Sequence, residues 1–129
     1  MKIEHIAIWV TDLENCKTFF ETYFNAVAGD LYYNRITGFR SYFLSFASGS
    51  RLELMQRPDI TEADKDYKKQ KLGIIHFAIS VGTKDKVDSL TNVLRKDGYR
   101  IVGEPRNTGD GYYESVVLDP EENLIEITV

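Results

Sequence analysis

The sequence predicts an α+β fold built from two paired βαβββ modules, forming a pseudo-twofold mixed sheet with the helices outside. Two observations favour it. A histidine-bearing strand occurs twice, as HIAIWV from His5 and as HFAISV from His76. A strand with one glutamate between aliphatic residues also occurs twice, at Glu53 and at Glu126. The chain is therefore an internal repeat with a period of about 70 residues, and modules that cannot cover their own sheets should pair.

Length and composition are those of one ordinary globular domain. The chain has 129 residues, 43% of them hydrophobic and 28% charged. A chain of this length and composition can bury a stable core without disulfide bonds or structural metal ions. A net charge of −4 without a basic block argues against nucleic acid as a partner. No apolar run predicts a membrane span, and the N-terminus does not resemble a signal peptide. The single Cys16 fits a reducing compartment, so the expected location is cytoplasmic.

Residues 1–56 form the predicted first module. A strand from Ile3 to Val10 is followed by Thr11 and, three residues later, Glu14, a pair that predicts a capping box and a helix to about Phe24. The apolar stripe of this helix includes Cys16, which we expect to be buried and unreactive. Three strands then follow, in DLYYNRI, FRSYFLSF and SRLELMQ, with turn signals between them.

The second module, residues 73–129, repeats this order after a charged segment. Residues 57–72 are highly charged with little periodicity, which is typical of a linker or a lid. Thr83 can cap a helix to about Asp97, with Val93 among its apolar positions and Gly98 at its end. Three strands complete the module, in RIVGEP, YYESVVL and NLIEITV.

Strand alternation places the repeated histidines and glutamates on one face of the predicted sheet. The neighbours of these four side chains are mostly apolar and belong on the face packed against the helices. In a pseudo-twofold sheet the other face is a shared concavity, where His5, Glu53, His76 and Glu126 should converge. Because a buried glutamate is costly unless it is paired or metal-bound, the set predicts a divalent-metal site with nitrogen and oxygen ligands.

The framework HIAIWV, LEL, IHFAISV and DPEENLIEI resembles the glyoxalase/bleomycin-resistance/dioxygenase superfamily, also called the vicinal oxygen chelate fold, over essentially the whole chain. The resemblance implies a single domain in which two βαβββ modules form a cupped sheet. It also implies that His5, Glu53, His76 and Glu126 bind one divalent ion: Zn, Ni, Co, Mn or Fe. The closing turn of the family has a glycine where this chain has Glu122, so we expect an asparagine to fill the position with positive φ or the turn to be reshaped.

The resemblance implies a metal-dependent lyase or isomerase of glyoxalase type, and the nearest reaction is that of lactoylglutathione lyase. In that reaction a proton leaves a hemithioacetal and returns to the adjacent carbon. Glu126 is then the expected base, with Glu53 as the second carboxylate. Those lyases tend to have a basic residue for glutathione where this chain has Trp9, so an apolar or aromatic substrate fits at least as well.

Further candidate substrate contacts lie in two strands. Arg40 and Tyr42 share one face of their strand, and Arg40 could hold a substrate carboxylate or phosphate. Tyr112, beside two glycines, could act as a gate. For all three residues, ordinary strand-edge or hairpin packing is an alternative.

Two other functions remain open on the same scaffold. One is a non-heme iron dioxygenase, which uses two histidines and one glutamate; the fourth carboxylate argues mildly against it. The other is a metal-free drug-binding resistance protein, which would lack the four ligand residues. Family members commonly form homodimers, sometimes exchanging modules. The expected partners are a small-molecule substrate and a second copy of the chain.

Overall fold

The computed structural model describes residues 1–61, 66–69 and 72–129, so residues 62–65 and 70–71 of the predicted linker lie outside the described residues. The chain divides into two units, Met1–Asp64 and Lys65–Val129. Each unit has one helix and its own mixed sheet, which confirms the α+β class with two βαβββ-like modules. Within the described part of the chain, no helix is long and apolar enough to cross a membrane.

The same strand pairing is repeated in both units. The first contains β1 (His5–Trp9), α1 (Leu13–Phe24), β2 (Val27–Ala28), β3 (Tyr32–Asn34), β4 (Phe39–Ser45) and β5 (Arg51–Gln56). The second contains β6 (His76–Ser80), α2 (Lys84–Lys96), β7 (Ile101–Asn107), β8 (Tyr113–Leu118) and β9 (Leu124–Thr128). β1 lies parallel to β5 and β6 parallel to β9, while the other pairs are antiparallel.

Each sheet is irregular at one of its two edges, opposite the regular edge strand β1 or β6. The strand predicted in DLYYNRI is shorter than expected, and β2, which was not predicted, precedes it. β2 pairs with the end of β4 and β3 with its start, and between them the Gly29 N–H donates to Phe43 O at 2.9 Å. In the second unit, β7 shifts register against β8 on both sides of Gly103 and contains Pro105, which has no N–H.

One of the two helix N-termini, that of α1, differs from the prediction. α1 is capped by Asp12, whose Oδ1 accepts from the Asn15 N–H at 3.0 Å, so the predicted Thr11 capping box is wrong. With Asp12 as the N-cap, Glu14 is the second helical residue and not the third, and its carboxylate contacts Lys17 and Tyr42 instead. α2 has the predicted cap, since Thr83 Oγ1 accepts from the Lys86 N–H at 3.3 Å.

Each helix buries a stripe against its own sheet. The stripe of α1 includes Cys16, which is fully buried as predicted, and also Phe19, which was not foreseen. In α2 the expected apolar position Val93 is 47% exposed, and Thr91 is buried instead. The Thr91 hydroxyl is satisfied there, because it lies 2.6 Å from Val87 O and 2.6 Å from the Ser115 hydroxyl.

The closing turn has its positive φ at Glu122 and not at an asparagine, so the expectation that Asn would fill this position is wrong. Glu122 itself adopts a φ of 63°, a left-handed conformation that L-residues rarely take. The Asp119 carboxylate organises this turn: Oδ1 accepts from the N–H groups of Glu121 and Asn123, each at 2.8 Å. Asn123 Nδ2 donates to its other oxygen at 2.8 Å. These bonds hold Glu122 in a strained backbone conformation.

Candidate functional site

In each unit, one histidine and one glutamate lie on adjacent parallel strands and on the same side of the sheet. Glu53 of β5 is the register partner of Ala7 in β1, and Glu126 of β9 is the partner of Ala78 in β6. Alternation then places His5 with Glu53 and His76 with Glu126. We call this side the His–Glu face of each sheet; the opposite side packs against the helix.

The first pair lies beside an aromatic ring. His5 Nε2 is 3.9 Å from Glu53 Oε2, and the two side chains are 39% and 14% exposed. Phe43 of β4 lies across from Glu53 and meets the His5 ring edge-on, with ring centroids 5.2 Å apart. The ring shields one side of the pair from water, while the imidazole stays accessible.

The second pair is closer. His76 Nε2 is 3.2 Å from Glu126 Oε2, and the side chains are 42% and 20% exposed. Burial raises the pKa of Glu126, an effect that His76 opposes and the nearby Glu114 carboxylate reinforces. Glu126 is therefore a carboxylate that the fold holds partly away from water next to a second acidic group.

The second His–Glu face also carries Glu114, which shares a strand face with Tyr112 in the sequence pattern, and Arg106, which the sequence did not single out. Glu114 of β8 is only 8% exposed, and its Oε1 lies 3.5 Å from an Arg106 guanidinium nitrogen across β7. Gly103 leaves room for this arginine, because a Cβ there would approach Arg106 Nη1 to 2.9 Å. The sequence gives no local signal for this pair, because Arg106 lies opposite Glu114 only after a register shift between β7 and β8.

Trp9 lies on the His–Glu face of the first sheet. It is 37% exposed, on the same strand and the same side as His5. The Phe39 ring meets it edge-on at 5.9 Å, and the Arg57 guanidinium lies 5.5 Å from its ring centroid. This arrangement presents a partly exposed aromatic surface flanked by a cation.

Arg40 and Tyr42 lie on the other side of that sheet, which departs from their expected role. Tyr42 is the register partner of Leu54, and its hydroxyl donates to Glu14 Oε1 of α1 at 2.9 Å. An Arg40 nitrogen lies 3.6 Å from the same carboxylate oxygen. Both side chains support the helix–sheet contact, on the side of the sheet away from His5 and Glu53.

Tyr112 lies outside the strands, in the turn between β7 and β8. Its side chain is 55% exposed. Its backbone is fixed, because the Tyr112 carbonyl accepts from the Thr108 N–H at 2.8 Å and the Tyr112 N–H donates to Thr108 Oγ1 at 2.9 Å. A substrate contact by Tyr112 stays a prediction.

The imidazole nitrogens and carboxylate oxygens of the two pairs are suitable ligand atoms for a divalent ion. With metal–ligand bonds of about 2.0–2.2 Å, two donors on one ion lie about 3 Å apart. The His76–Glu126 separation of 3.2 Å matches this value, and the His5–Glu53 separation of 3.9 Å needs only a small side-chain rotation. Over residues 1–61, 66–69 and 72–129, no three His, Cys, Asp or Glu side chains form a group that could hold a metal ion. The structure thus brings together two pairs.

Comparison with known proteins gives a match over nearly the whole chain. Residues 2–127 match the family model of the Glyoxalase/Bleomycin resistance protein/Dioxygenase superfamily. The uncharacterized protein YqjT of Bacillus subtilis (strain 168) is 23% identical over 128 residues, which are 97% of this chain and 96% of that protein.

Solved structures share the fold at low sequence identity. The trypanothione-dependent glyoxalase I of Leishmania major has a TM-score of 0.78 and 23% identity, covering 99% of this chain and 86% of that one. A glyoxylase/bleomycin resistance protein/dioxygenase domain from Frankia sp. EAN1pec has a TM-score of 0.83 and 15% identity, covering 100% and 97%. At such identities the likeness concerns the fold alone.

Proposed function

Because the chain belongs to the glyoxalase/bleomycin resistance protein/dioxygenase superfamily, we propose that it is a metal-dependent lyase or isomerase of glyoxalase type. The observation that carries the proposal is the repeated pair: a histidine Nε2 and a glutamate oxygen on adjacent parallel strands, 3.9 Å apart in one unit and 3.2 Å in the other. A structural role would not require the same two residue types at matching positions of both modules.

The metal would be held by His5, Glu53, His76 and Glu126 together. Such a set supplies two nitrogens and two carboxylate oxygens, which suits Zn, Ni, Co, Mn or Fe as divalent ions. When bound, the ion would act as a Lewis acid on two neighbouring substrate oxygens. The two pairs would come from one chain or, if modules are exchanged, from two chains of a homodimer.

Glu126 is the proposed base. Its carboxylate would take a proton from one substrate carbon and return it to the adjacent carbon, with Glu53 as the second carboxylate. Its partial burial supports this role, because a carboxylate shielded from water holds a proton more strongly. Glu114 and Arg106 would set the charge around it.

Trp9 would orient the apolar part of the substrate. Its partly exposed ring offers a stacking surface, and the Arg57 guanidinium beside it is held by Asp59 through two hydrogen bonds. The nearest reaction is the conversion of a hemithioacetal to a lactoyl thioester, and an aromatic substrate with two neighbouring oxygens is a further possibility within the same chemistry. Tyr112 would contact the substrate from its turn.

The first test is metal content, followed by turnover. We expect one divalent ion per chain, lost in His5→Ala and in His76→Ala. The Zn-, Ni-, Co- and Mn-loaded proteins would then be assayed for lactoylglutathione formation from methylglyoxal and glutathione. Metal binding without turnover would remove the lactoylglutathione substrate and keep the metal site. The absence of metal in a folded protein would contradict the proposal.

A metal-free small-molecule binder is the second candidate. The aromatic pair of Trp9, which is partly exposed, and Phe39 favours it, because such surfaces bind planar ligands without a metal. Titration of the metal-free chain with small aromatic compounds, followed through the fluorescence of its one tryptophan, distinguishes the two. Binding that is independent of divalent ions and unaffected by Glu126→Gln would favour this candidate.

We also propose a homodimer. Light scattering on the eluting protein would give twice the chain mass of 14.8 kDa. A monomeric mass at micromolar concentration would contradict it and would require both pairs of a shared metal site to come from one chain.

A further inference from the structure

We propose that Glu4 positions His5 for metal binding by holding its imidazole in one tautomer. The inference rests on the proposed metal site and adds a residue to it. Glu4 touches neither metal nor substrate in this proposal; it acts through His5.

The hydrogen bond at the far side of the imidazole carries the inference. His5 Nδ1 lies 2.5 Å from Glu4 Oε2, while its Nε2 is the atom directed to Glu53, at 3.9 Å. An ionised carboxylate can only accept a hydrogen bond, so Nδ1 must carry the proton. In a neutral ring the lone pair is then on Nε2, which is the form that a metal requires.

Glu4 is itself held in place, although its side chain is 55% exposed. The Arg51 Nε–H donates to Glu4 Oε1 at 2.8 Å, and a second guanidinium nitrogen lies 2.5 Å from that oxygen. The guanidinium lies 4.1 Å from the Phe43 ring centroid, and that ring packs against His5. The contacts thus form a closed cycle: Arg51 binds Glu4, Glu4 binds the His5 imidazole, and the Phe43 ring packs against both His5 and Arg51.

The second module lacks this support at the equivalent position. The residue before His76 is Ile75, whose side chain cannot accept a hydrogen bond. The two modules therefore have the same proposed ligands, but a carboxylate precedes and orients the histidine in the first module and not in the second. Loss of Glu4 should affect His5 and leave His76 unchanged.

The first readout is the tautomer in metal-free protein. The chain has only two histidines, so nitrogen NMR of ¹⁵N-histidine-labelled protein gives two ring systems, which a His76→Gln sample assigns. We expect His5 to be protonated at Nδ1 in the native chain and in Glu4→Gln, whose amide oxygen can still accept. Glu4→Ala should move the proton of His5 to Nε2. Glu21→Ala, which removes an equal charge from an exposed position on α1, should change neither histidine.

The second readout is Zn²⁺ affinity, measured by competition with a chromophoric chelator at constant pH. Removing a hydrogen bond that orients a metal-binding histidine typically weakens affinity by about 10–100-fold, which we expect for Glu4→Ala. Glu4→Gln should fall between this variant and the native chain, and Glu21→Ala should match the native chain. Thermal unfolding of each metal-free variant checks that the fold is intact.

The outcomes separate this inference from the proposed function. An unchanged His5 tautomer in Glu4→Ala, or a Zn²⁺ affinity within twofold of native, overturns the role of Glu4 while the metal site stands. A native chain that binds no Zn²⁺ overturns the proposed function, and with it the role of Glu4 in metal binding.

Discussion

Tyr42 and Glu14 join an interior strand of the first sheet to its helix: the tyrosine hydroxyl of β4 donates to a carboxylate oxygen of α1 at 2.9 Å. The tyrosine is 9% exposed, and its ring also receives the Lys17 ammonium at 4.7 Å from the ring centroid. This contact gives Tyr42 a structural role on the side of the sheet away from His5 and Glu53.

Tyr42→Phe should therefore lower stability without changing ligand binding. Losing one such hydrogen bond to a charged acceptor costs about 1.5–3 kcal/mol at most, and less here because Glu14 remains half exposed. Chemical denaturation measures the loss, and Zn²⁺ affinity should stay at the native value. A variant that keeps its stability and loses metal or substrate binding would return Tyr42 to the site.

Glu126→Gln should weaken metal binding and stabilise the metal-free protein. The amide is a poor ligand for these ions, so we expect Zn²⁺ affinity to fall by more than about 100-fold. Burial raises the pKa of Glu126, which means that the fold disfavours its charged form, and a neutral amide removes that cost. Thermal unfolding in the presence of a chelator should thus give a higher Tm for the variant than for the native chain. A lower Tm would show that the carboxylate stabilises the metal-free fold.

Glu122→Gly should stabilise the closing turn. Glu122 holds a φ of 63°, which glycine adopts without a Cβ clash, so relief of this strain should exceed the added flexibility of the unfolded chain. We expect a gain of about 1 kcal/mol in the free energy of unfolding, measured by urea denaturation. The matched control is Glu121→Gly, at a neighbouring position without positive φ, which should destabilise the chain.

The hydroxyl of Tyr113 should make one part of the stability dependent on alkaline pH. It donates to Asp88 Oδ1 of α2 at 2.7 Å, and this hydrogen bond raises the Tyr113 pKa above its usual value of 10.0. Because the pKa of Tyr113 is raised in the folded state, its hydrogen bond contributes fully to the unfolding free energy below pH 10.0. This contribution is lost as the pH rises through the folded-state pKa.

Comparison with Tyr113→Phe tests this dependence. The difference in unfolding free energy between native and variant should be constant from pH 7 to 9 and should shrink above pH 10. A difference that stays constant to the highest pH at which both chains fold would contradict the assignment.

Sequence patterns predicted the repeat, the order of the elements other than β2, and the residues of the two His–Glu pairs. These features follow from strand alternation and from matching positions in two copies, both of which can be read along the chain. The same alternation correctly grouped Arg40 with Tyr42. It could not tell which side of the sheet they occupy, because that depends on the register with β5, where Phe43 rather than Tyr42 faces Glu53.

Other features depend on contacts that no short window contains. Thr11 and Asp12 can both cap a helix; in the structure Asp12 does so, while the Glu14 carboxylate contacts Lys17 and, from β4, Tyr42. The Arg106–Glu114 pair requires knowledge of where β7 shifts its register. The bond from Glu4 to His5 links neighbours in sequence, yet its significance depends on which ring nitrogen is directed to Glu53.

The irregular outer strands have a consequence for behaviour at high concentration. A long, regular edge offers a row of free backbone groups to which another chain can add a strand, the usual route to aggregation. In the first sheet that row is divided between two strands of two and three residues. In the second, Pro105 removes a donor and the register shifts bend the row. Neither of these two edges is a good template for strand addition, so replacing Pro105 with a β-former should raise the rate of fibril formation through the β7 edge.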